Sequence, residues 1–207
     1  MKLEILTFPD PRLKQKSVTV KEVTDAHREL AKNMLETMYD APGIGLAAPQ
    51  VGELIRLLVI DTRPKDDDGN ILLEEMTELE RAVPQPLVIF NPEIIVAEGK
   101  TTYEEGCLSV PTFYETVNRA LYVEAEGLDV NGLPMKIKTD GLLAICLQHE
   151  MDHLEGKLFI DRLSMVKSNL IKNKIKKHGY PTAEEAREAR AKVHEERSRK
   201  KEEDHAF

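Results

Sequence analysis

The sequence contains no tryptophan, and only 5% of its 207 residues are aromatic. The core of such a chain must be mainly aliphatic, and a hydrophobic content of 41% is enough to build one. The chain has just two cysteines, Cys107 and Cys146, which excludes a disulfide framework. Its length favours a single compact unit over several.

Membrane and secretion signals are also missing from the sequence. No apolar stretch approaches the length of a membrane span, and the first residues lack the apolar segment of a signal peptide. Basic residues are outnumbered, because 29 Lys and Arg stand against 37 Asp and Glu and leave a net charge of −8. This charge argues against DNA or other nucleic acid as the main partner. We therefore expect a cytoplasmic protein without a membrane partner, whose reduced thiols are available to a metal.

The hydrophobic pattern along the chain predicts both helices and strands. Residues 43–52 are Gly-rich and apolar, and we expect a tight loop packed inside the protein. The acidic residues 62–86 are predicted to form a surface insertion with a solvated face. The remaining predictions are helices over 22–40, 141–155 and 162–178, strands over 56–61 and 87–99, and a hairpin over 117–141 that turns at Asn131-Gly132.

The sharpest local motif is the H-E-x-x-H pattern of His149 to His153. Four residues make just over one helical turn, so both imidazoles project from one face toward one point. Glu150 then lies beside a metal held by the two imidazoles and can move a proton. Two ordinary hydrogen-bonded histidines are the plainer interpretation. However, the motif lies on the most apolar predicted helix, where ionisable groups are costly to bury without a task.

The third ligand of such a metal is not fixed by this motif. In one metalloprotease class a third histidine follows at the position that Phe159 occupies here, and Phe159 cannot bind metal. A second class takes a glutamate from a later helix, where Glu184 and Glu185 are available in the charged tail. Cys107 is a further candidate because a thiolate binds iron or zinc well, although a lone cysteine is more often a small buried side chain.

Three segments together resemble the signature of the peptide deformylase family. They are GIGLAAPQ (43–50), EGCLSV (105–110) and QHEMDHLEG (148–156), and they occur in the family's order. The opening TFPDPRL (7–13) also resembles the family's N-terminal arm, and the resemblance spans about residues 3–165. We therefore predict an α+β fold, with antiparallel sheets packed around a central helix that carries the HExxH motif and with a C-terminal helix.

The resemblance implies a role for each matching residue. Cys107, His149 and His153 would bind the metal, and Glu150 would be the general acid and base. Gln50 and the backbone N–H of Leu108 would donate to the oxygen of the reacting formyl group. An ion pair between Glu105 and Arg119 would hold the cysteine loop in shape. The substrate-binding positions implied by the family are Ile44, Gly45, Tyr103, Leu142, Ile145 and Cys146.

The implied reaction is metal-assisted hydrolysis of the formyl group on the N-terminal formyl-methionine of a newly made polypeptide, with release of formate. The family usually uses ferrous iron, and zinc, nickel or cobalt can replace it, so we expect one Fe²⁺ per chain. The donor set by itself would suit zinc equally well.

The predicted organisation is a catalytic domain over 1–165 and a highly charged helical extension over 166–207. The extension begins with a basic helix that favours a transient contact with ribosomal RNA, although a solvated helix face is the plainer interpretation. The basic residues of this helix are Lys167, Lys172, Lys174, Lys176 and Lys177.

Two other functions remain open from the sequence. A zinc endopeptidase would use a third ligand other than Cys107 and would cleave internal peptide bonds. A metal-stabilised binding protein would keep the scaffold without catalysis, and the presence of Gln50, Leu108 and Glu150 argues against it.

Overall fold

The computed structural model describes residues 1–41, 43–182 and 185. Its centre is a five-stranded antiparallel sheet in the order β1-β2-β3-β6-β7, and strands β4 and β5 form a separate antiparallel hairpin. The strands are β1 (Gly45–Ala47), β2 (Leu57–Ile60), β3 (Leu87–Glu98), β4 (Thr101–Cys107), β5 (Val110–Arg119), β6 (Tyr122–Leu128) and β7 (Pro134–Thr139).

The helices of the described residues are α1 (Asp25–Asp40), α2 (Glu78–Ala82), α3 (Gly141–Leu154) and α4 (Met165–His178), and short 3-10 helices cover Pro11–Lys14, Ala48–Val51, Leu73–Glu75 and Phe159–Asp161. The predicted α+β class is confirmed, and α1, α3 and α4 lie within three residues of their predicted bounds. Most of the charged tail, 183–184 and 186–207, lies outside the described residues. Within the described part, no helix combines the length and apolar character needed to cross a bilayer.

Strand β2 shows why its sequence is apolar throughout. Leu57 and Val59 pack in a cluster with Met38 of α1, whereas Leu58 and Ile60 pack in the cluster that contains α3. The sheet therefore lies between two helices, and all four residues of the strand are buried. Burial of each such side chain stabilises the fold by about 1.5–3 kcal/mol, which holds the sheet against both α1 and α3.

Helix α3 is the central helix, and ten of its 14 residues are buried. It ends where Gly156 adopts a φ of 67°, a backbone conformation that favours glycine. A Cβ at Gly156 would also lie 2.5 Å from the carbonyl oxygen of Lys14. The HExxH motif therefore lies in the last two turns of a helix that is buried along most of its length.

The 62–86 segment is more than a solvated insertion. Its glutamate Glu80 is buried, and Glu80 Oε1 accepts a hydrogen bond from the backbone N–H of Leu143 at 3.0 Å, in the first turn of α3. Thr77 Oγ1 donates to Asp140, the N-cap residue, at 2.5 Å. The expectation of a solvated acidic face is therefore wrong at Glu80, which satisfies an N–H that a capping side chain normally covers.

We expect Glu80→Ala to lower the free energy of unfolding by about 1–2 kcal/mol, because it leaves a buried N–H of α3 without an acceptor. Urea unfolding measures this loss. Glu78→Ala, an exposed position on the same short helix, is the matched control and should change stability by less than about 0.5 kcal/mol. Equal losses in the two variants would contradict the capping role.

Candidate metal centre and active-site cavity

A thiol and two imidazoles come together at one point of the fold. The ligand atoms of Cys107, at the end of β4, and of His149 and His153, on α3, all lie within 4.8 Å of one another. Cys107 Sγ is 3.3 Å from His153 Nε2. One sulfur and two imidazole nitrogens in this arrangement fit a divalent iron or zinc ion.

The β4–β5 hairpin places the cysteine. Cys107 pairs with Val110, so Leu108 and Ser109 form the connecting turn, and the strand register shifts between Glu105 and Cys107. The N–H of Ser109 points at Cys107 Sγ over 3.4 Å. The tight turn and the shifted register aim the sulfur at α3 instead of along the hairpin.

Behind the ligands lies a buried network of charges. Glu105 Oε2 is 2.8 Å from His149 Nδ1, and both Glu105 oxygens accept from Arg119, at 2.6 and 2.8 Å. Arg119 also donates to Asp152 at 2.6 Å, and Asp152 accepts a further bond from Arg162 Nε at 2.6 Å. Because Glu105 occupies Nδ1, the His149 ring is fixed with Nε2 left for a metal.

Burial and the neighbouring charges shift the pKa values of both histidines in the metal-free protein. Burial by itself would lower the pKa of His149, but hydrogen bonds to Cys107 and Glu105 raise it well above its usual value. Burial lowers the pKa of His153 well below its usual value, and the positive charge of His149 adds to this effect. His153 Nδ1 is buried and has no hydrogen-bond partner among the described residues. A neutral imidazole can bind a cation, and Nε2 is the His153 nitrogen that lies beside Cys107 Sγ.

Glu150 lies beside this centre in an apolar setting. Burial raises the pKa of Glu150 to about 7, and its Oε2 has no hydrogen-bond partner within the described part of the chain. A nearby cation would oppose the rise, because positive charge favours the carboxylate. A Cβ on Gly45 would lie 2.3 Å from Glu150 Oε1, so only glycine lets β1 pass this close to the carboxylate.

The Gln50 side chain is oriented from both ends. Its Oε1 accepts from the N–H of Ala47 at 2.8 Å, which leaves the Nε2 amide group facing the site. That Nε2 donates to Ser109 Oγ at 3.2 Å and lies 3.6 Å from Cys107 Sγ. The segment 43–52, predicted as a loop, is in fact strand β1 followed by a 3-10 helix, and it is packed inside as expected.

A cavity of about 390 Å³ opens onto these groups. The cavity wall includes every site residue predicted from the sequence except His153, which is almost fully buried behind it. The predicted residues in the wall are Ile44, Gly45, Gln50, Tyr103, Cys107, Leu108, Leu142, Ile145, Cys146, His149 and Glu150. Pro111, Thr112, Phe113 and Tyr114 also line it, and the sequence assigned no role to them.

The family model described as Polypeptide deformylase matches residues 2–169. A peptide deformylase of Alkalilimnicola ehrlichii is 49% identical over 175 residues, which are 84% of this chain and 89% of that protein. The residues matched by the family model include the sheet, α3 and the cavity described above. The chain belongs to the polypeptide deformylase family. It is accordingly a hydrolase of the deformylase type.

Solved structures of other family members share the fold. A peptide deformylase from Legionella pneumophila is 42% identical, with a TM-score of 0.72 over 86% of this chain and 95% of that one. One from Ehrlichia chaffeensis, in complex with actinonin, is 39% identical, with a TM-score of 0.75 over 87% of this chain and 99% of that one. The deformylase fold therefore extends over most of this chain.

Some residues of this deformylase site were missed by sequence reasoning. Ser109 is fully buried between Gln50 and Cys107, and only its place in EGCLSV could have suggested it. Phe159, rejected as a third histidine, instead stacks on the His149 ring with centroids 6.3 Å apart. Of the two tail glutamates considered as ligands, Glu184 lies outside the described residues, and Glu185 is exposed.

Proposed function

We propose that the chain removes the formyl group from the N-terminal formyl-methionine of newly made polypeptides by metal-assisted hydrolysis and releases formate. The observation that carries the proposal is one cavity wall, in a deformylase family member, that brings together Cys107, His149, Glu150 and Gln50. These residues supply metal ligands, a proton carrier and a hydrogen-bond donor, which is the set that amide hydrolysis requires.

Cys107, His149 and His153 are the proposed ligands of one divalent metal per chain. We propose Fe²⁺, with Zn²⁺, Ni²⁺ and Co²⁺ as alternatives, because thiolate and imidazole donors accept all four. When bound, the metal supplies a Lewis acid that polarises the formyl carbonyl and lowers the pKa of water. Ferrous iron beside a thiolate is sensitive to oxygen. Loss of activity in air that does not occur when zinc replaces the native metal would therefore support iron.

Glu150 is the proposed general base and general acid. Its buried carboxylate takes a proton from the attacking water and returns that proton to the nitrogen of the departing amine. The free Oε2 and the apolar surroundings leave this carboxyl available for both transfers.

Gln50 and the backbone N–H of Leu108 are the proposed donors to the formyl oxygen. The oxygen gains negative charge as water adds to the carbon, and donors fixed in advance stabilise that charge most effectively. Gln50 meets this condition because the Ala47 N–H already holds its Oε1. Leu108 meets it because its N–H belongs to the short turn that also carries the sulfur.

The substrate's methionine side chain is proposed to bind in the apolar part of the cavity. Ile44, Tyr103, Leu142 and Ile145 line this region, and a flexible thioether side chain fits such a surface. Gly45 would supply backbone hydrogen bonds to the peptide, since a glycine there leaves the β1 edge open beside Glu150.

The proposed substrate emerges from the ribosome, so we propose a cytoplasmic enzyme that contacts the ribosome transiently. Helix α4 is the basic surface proposed for this contact. Lys176 and Lys177 are exposed near its C-terminal end. Two other lysines are engaged within the protein: Lys167 pairs with Glu115, and Lys172 pairs with Asp161. Ribosome co-sedimentation that is unchanged when Lys176 and Lys177 are replaced would remove this part of the proposal.

We also propose that 1–165 form the catalytic domain and that 166–207 form an extension of it. The proposal is supported by the family match, which ends at residue 169, close to the start of α4. Membranes and DNA have no part in this function.

The decisive test is formate release from formyl-Met-Ala-Ser under anaerobic conditions, with metal analysis of the same preparation. We expect the wild type to release formate and to contain one metal per chain. Cys107→Ala should lose most of the metal and the activity, because one of three protein ligands is gone. Acetyl-Met-Ala-Ser is the matched control substrate, and its hydrolysis should be far slower.

The same experiment separates the rival functions. Cleavage of an internal peptide bond, with metal retained in Cys107→Ala, would favour a zinc endopeptidase. Tight metal binding without release of formate would favour a metal-stabilised binding protein.

A further inference from the structure

Tyr180 lies just after α4, outside the residues that the family model matches. Its hydroxyl is 2.8 Å from the carbonyl oxygen of Phe8 and 3.4 Å from that of Ser109. Its ring makes an edge contact with Phe113, with centroids 6.3 Å apart. The C-terminal segment therefore touches both the N-terminal arm and the turn that carries the cysteine.

Ser109 connects these contacts to the proposed site. Its carbonyl accepts from the N–H of Phe8 at 2.8 Å and also faces Tyr180. Its own N–H points at Cys107 Sγ over 3.4 Å, and its hydroxyl accepts from Gln50 at 3.2 Å. A shift of Ser109 would therefore move a proposed metal ligand and a proposed oxyanion donor together.

We propose that Tyr180 is a positioning residue: its hydroxyl holds the Phe8 carbonyl, and the Phe8 N–H in turn holds the Ser109 carbonyl and with it the placement of Cys107 and Gln50. This inference rests on the proposed function of that site. Tyr180 does not line the cavity, so its effect on substrate is indirect. Tyr180 thus supports the cysteine turn from outside the residues that the family model matches.

The hydroxyl and the ring of Tyr180 have separable tasks. The ring packs on Phe113, which also lies under Lys174 Nζ at 5.7 Å from the ring centroid, and phenylalanine at position 180 would keep that packing. The hydroxyl has one proton to donate, and the Phe8 carbonyl at 2.8 Å is its main acceptor, with the Ser109 carbonyl at the longer 3.4 Å. Ser109 lies in the turn, outside the β4–β5 pairing, so its carbonyl depends on Phe8 and Tyr180 for hydrogen bonds.

The test compares Tyr180→Phe with Tyr122→Phe. The control removes a hydroxyl that donates to Glu124. Both residues lie on β6 of the five-stranded sheet, which does not include the β4–β5 hairpin. The wild type and both variants are loaded with Co²⁺, and the thiolate-to-cobalt absorption band and the rate of cobalt loss to a chelator are recorded. The alkylation rate of Cys107 by iodoacetamide is measured on the metal-free proteins, well below the lower of the two melting temperatures.

We expect Tyr180→Phe to shift the cobalt band and to speed both cobalt loss and alkylation by about 2- to 10-fold, the effect of one neutral hydrogen bond. The kcat for formate release should fall by a similar factor with little change in KM. Tyr122→Phe should match the wild type in all four readouts.

Identical readouts for the two variants would overturn the inference, even if Tyr180→Phe melts at a lower temperature, because Tyr180 would then serve stability alone. Should the wild type release no formate while Tyr180→Phe still loses cobalt faster, the positioning role stands and the proposed function fails.

Discussion

Glu150→Gln is expected to lower kcat for formate release by about 10²- to 10⁴-fold, with the metal content unchanged. Glutamine has nearly the shape of glutamate and cannot carry a proton between water and amine. Glu150 does not contribute to the proposed ligand set, which consists of one sulfur and two imidazoles. Loss of activity without loss of metal therefore distinguishes Glu150 from a metal ligand. Parallel formate assays and metal analysis measure it.

The same substitution should stabilise the metal-free protein at alkaline pH. Burial raises the pKa of Glu150 to about 7, well above the value of about 4.3 in an unfolded chain. The wild type therefore loses stability as the pH rises from the unfolded toward the folded value, because the carboxyl must ionise while buried. Glutamine does not ionise, so the stability advantage of Glu150→Gln should grow over that range and level off above pH 7.

Glu155→Gln is the matched control on the same stretch of chain. Glu155 pairs with Arg56 and Lys16 outside the cavity, so the change should leave kcat unaltered. A Glu150→Gln protein that retained more than a tenth of the wild-type activity would contradict the proton-carrier role. That result would mean that a group other than Glu150 carries the proton.

The central helix was predictable because its signals are local. The apolar spacing from Leu142 to Leu154 and the stop at Gly156 are read from neighbouring residues, and they place both histidines on one face. The hairpin turn at Asn131-Gly132 was equally local. Cys107 is different, since it lies 46 residues from His153, and only the family resemblance indicated that the fold joins them.

Residues whose burial depends on tertiary contacts were not predictable from their neighbours in the sequence. Nothing in the acidic run distinguishes Glu80 from Glu78, yet one is buried against α3 and the other is exposed. The hairpin of β4 and β5 was missed for a related reason. Strand β4 is largely exposed, so its hydrophobic alternation is weak, although the last residue of this hairpin, Arg119, is buried.

Arg119→Met is expected to lower the free energy of unfolding by about 3–5 kcal/mol. The Arg119 side chain is 1% exposed, and it bridges Glu105 and Asp152, whose side chains are 3% and 7% exposed. Removing the cation leaves Glu105 with His149 alone, and burial of an uncompensated carboxylate is costly. Urea unfolding of the metal-free protein measures the loss.

The same variant should weaken metal binding by about 10- to 100-fold, because Glu105 holds the His149 ring in place and would lose its own support. Competition with a chelator measures this affinity. Arg162→Met is the matched control. It removes the second partner of Asp152 but is 42% exposed, so its expected cost is nearer 1 kcal/mol, and metal affinity should hold.

Arg119→Lys separates charge from geometry in this network. Lysine keeps the positive charge, but its single ammonium group cannot replace the fork that donates to both oxygens of Glu105 and to Asp152. If geometry matters, Arg119→Lys should recover part of the stability while the metal still dissociates faster than in the wild type. Full recovery of both properties would mean that the network acts through charge alone. Equal losses of stability in Arg119→Met and Arg162→Met would mean that the buried pair with Glu105 contributes no more than the exposed pair.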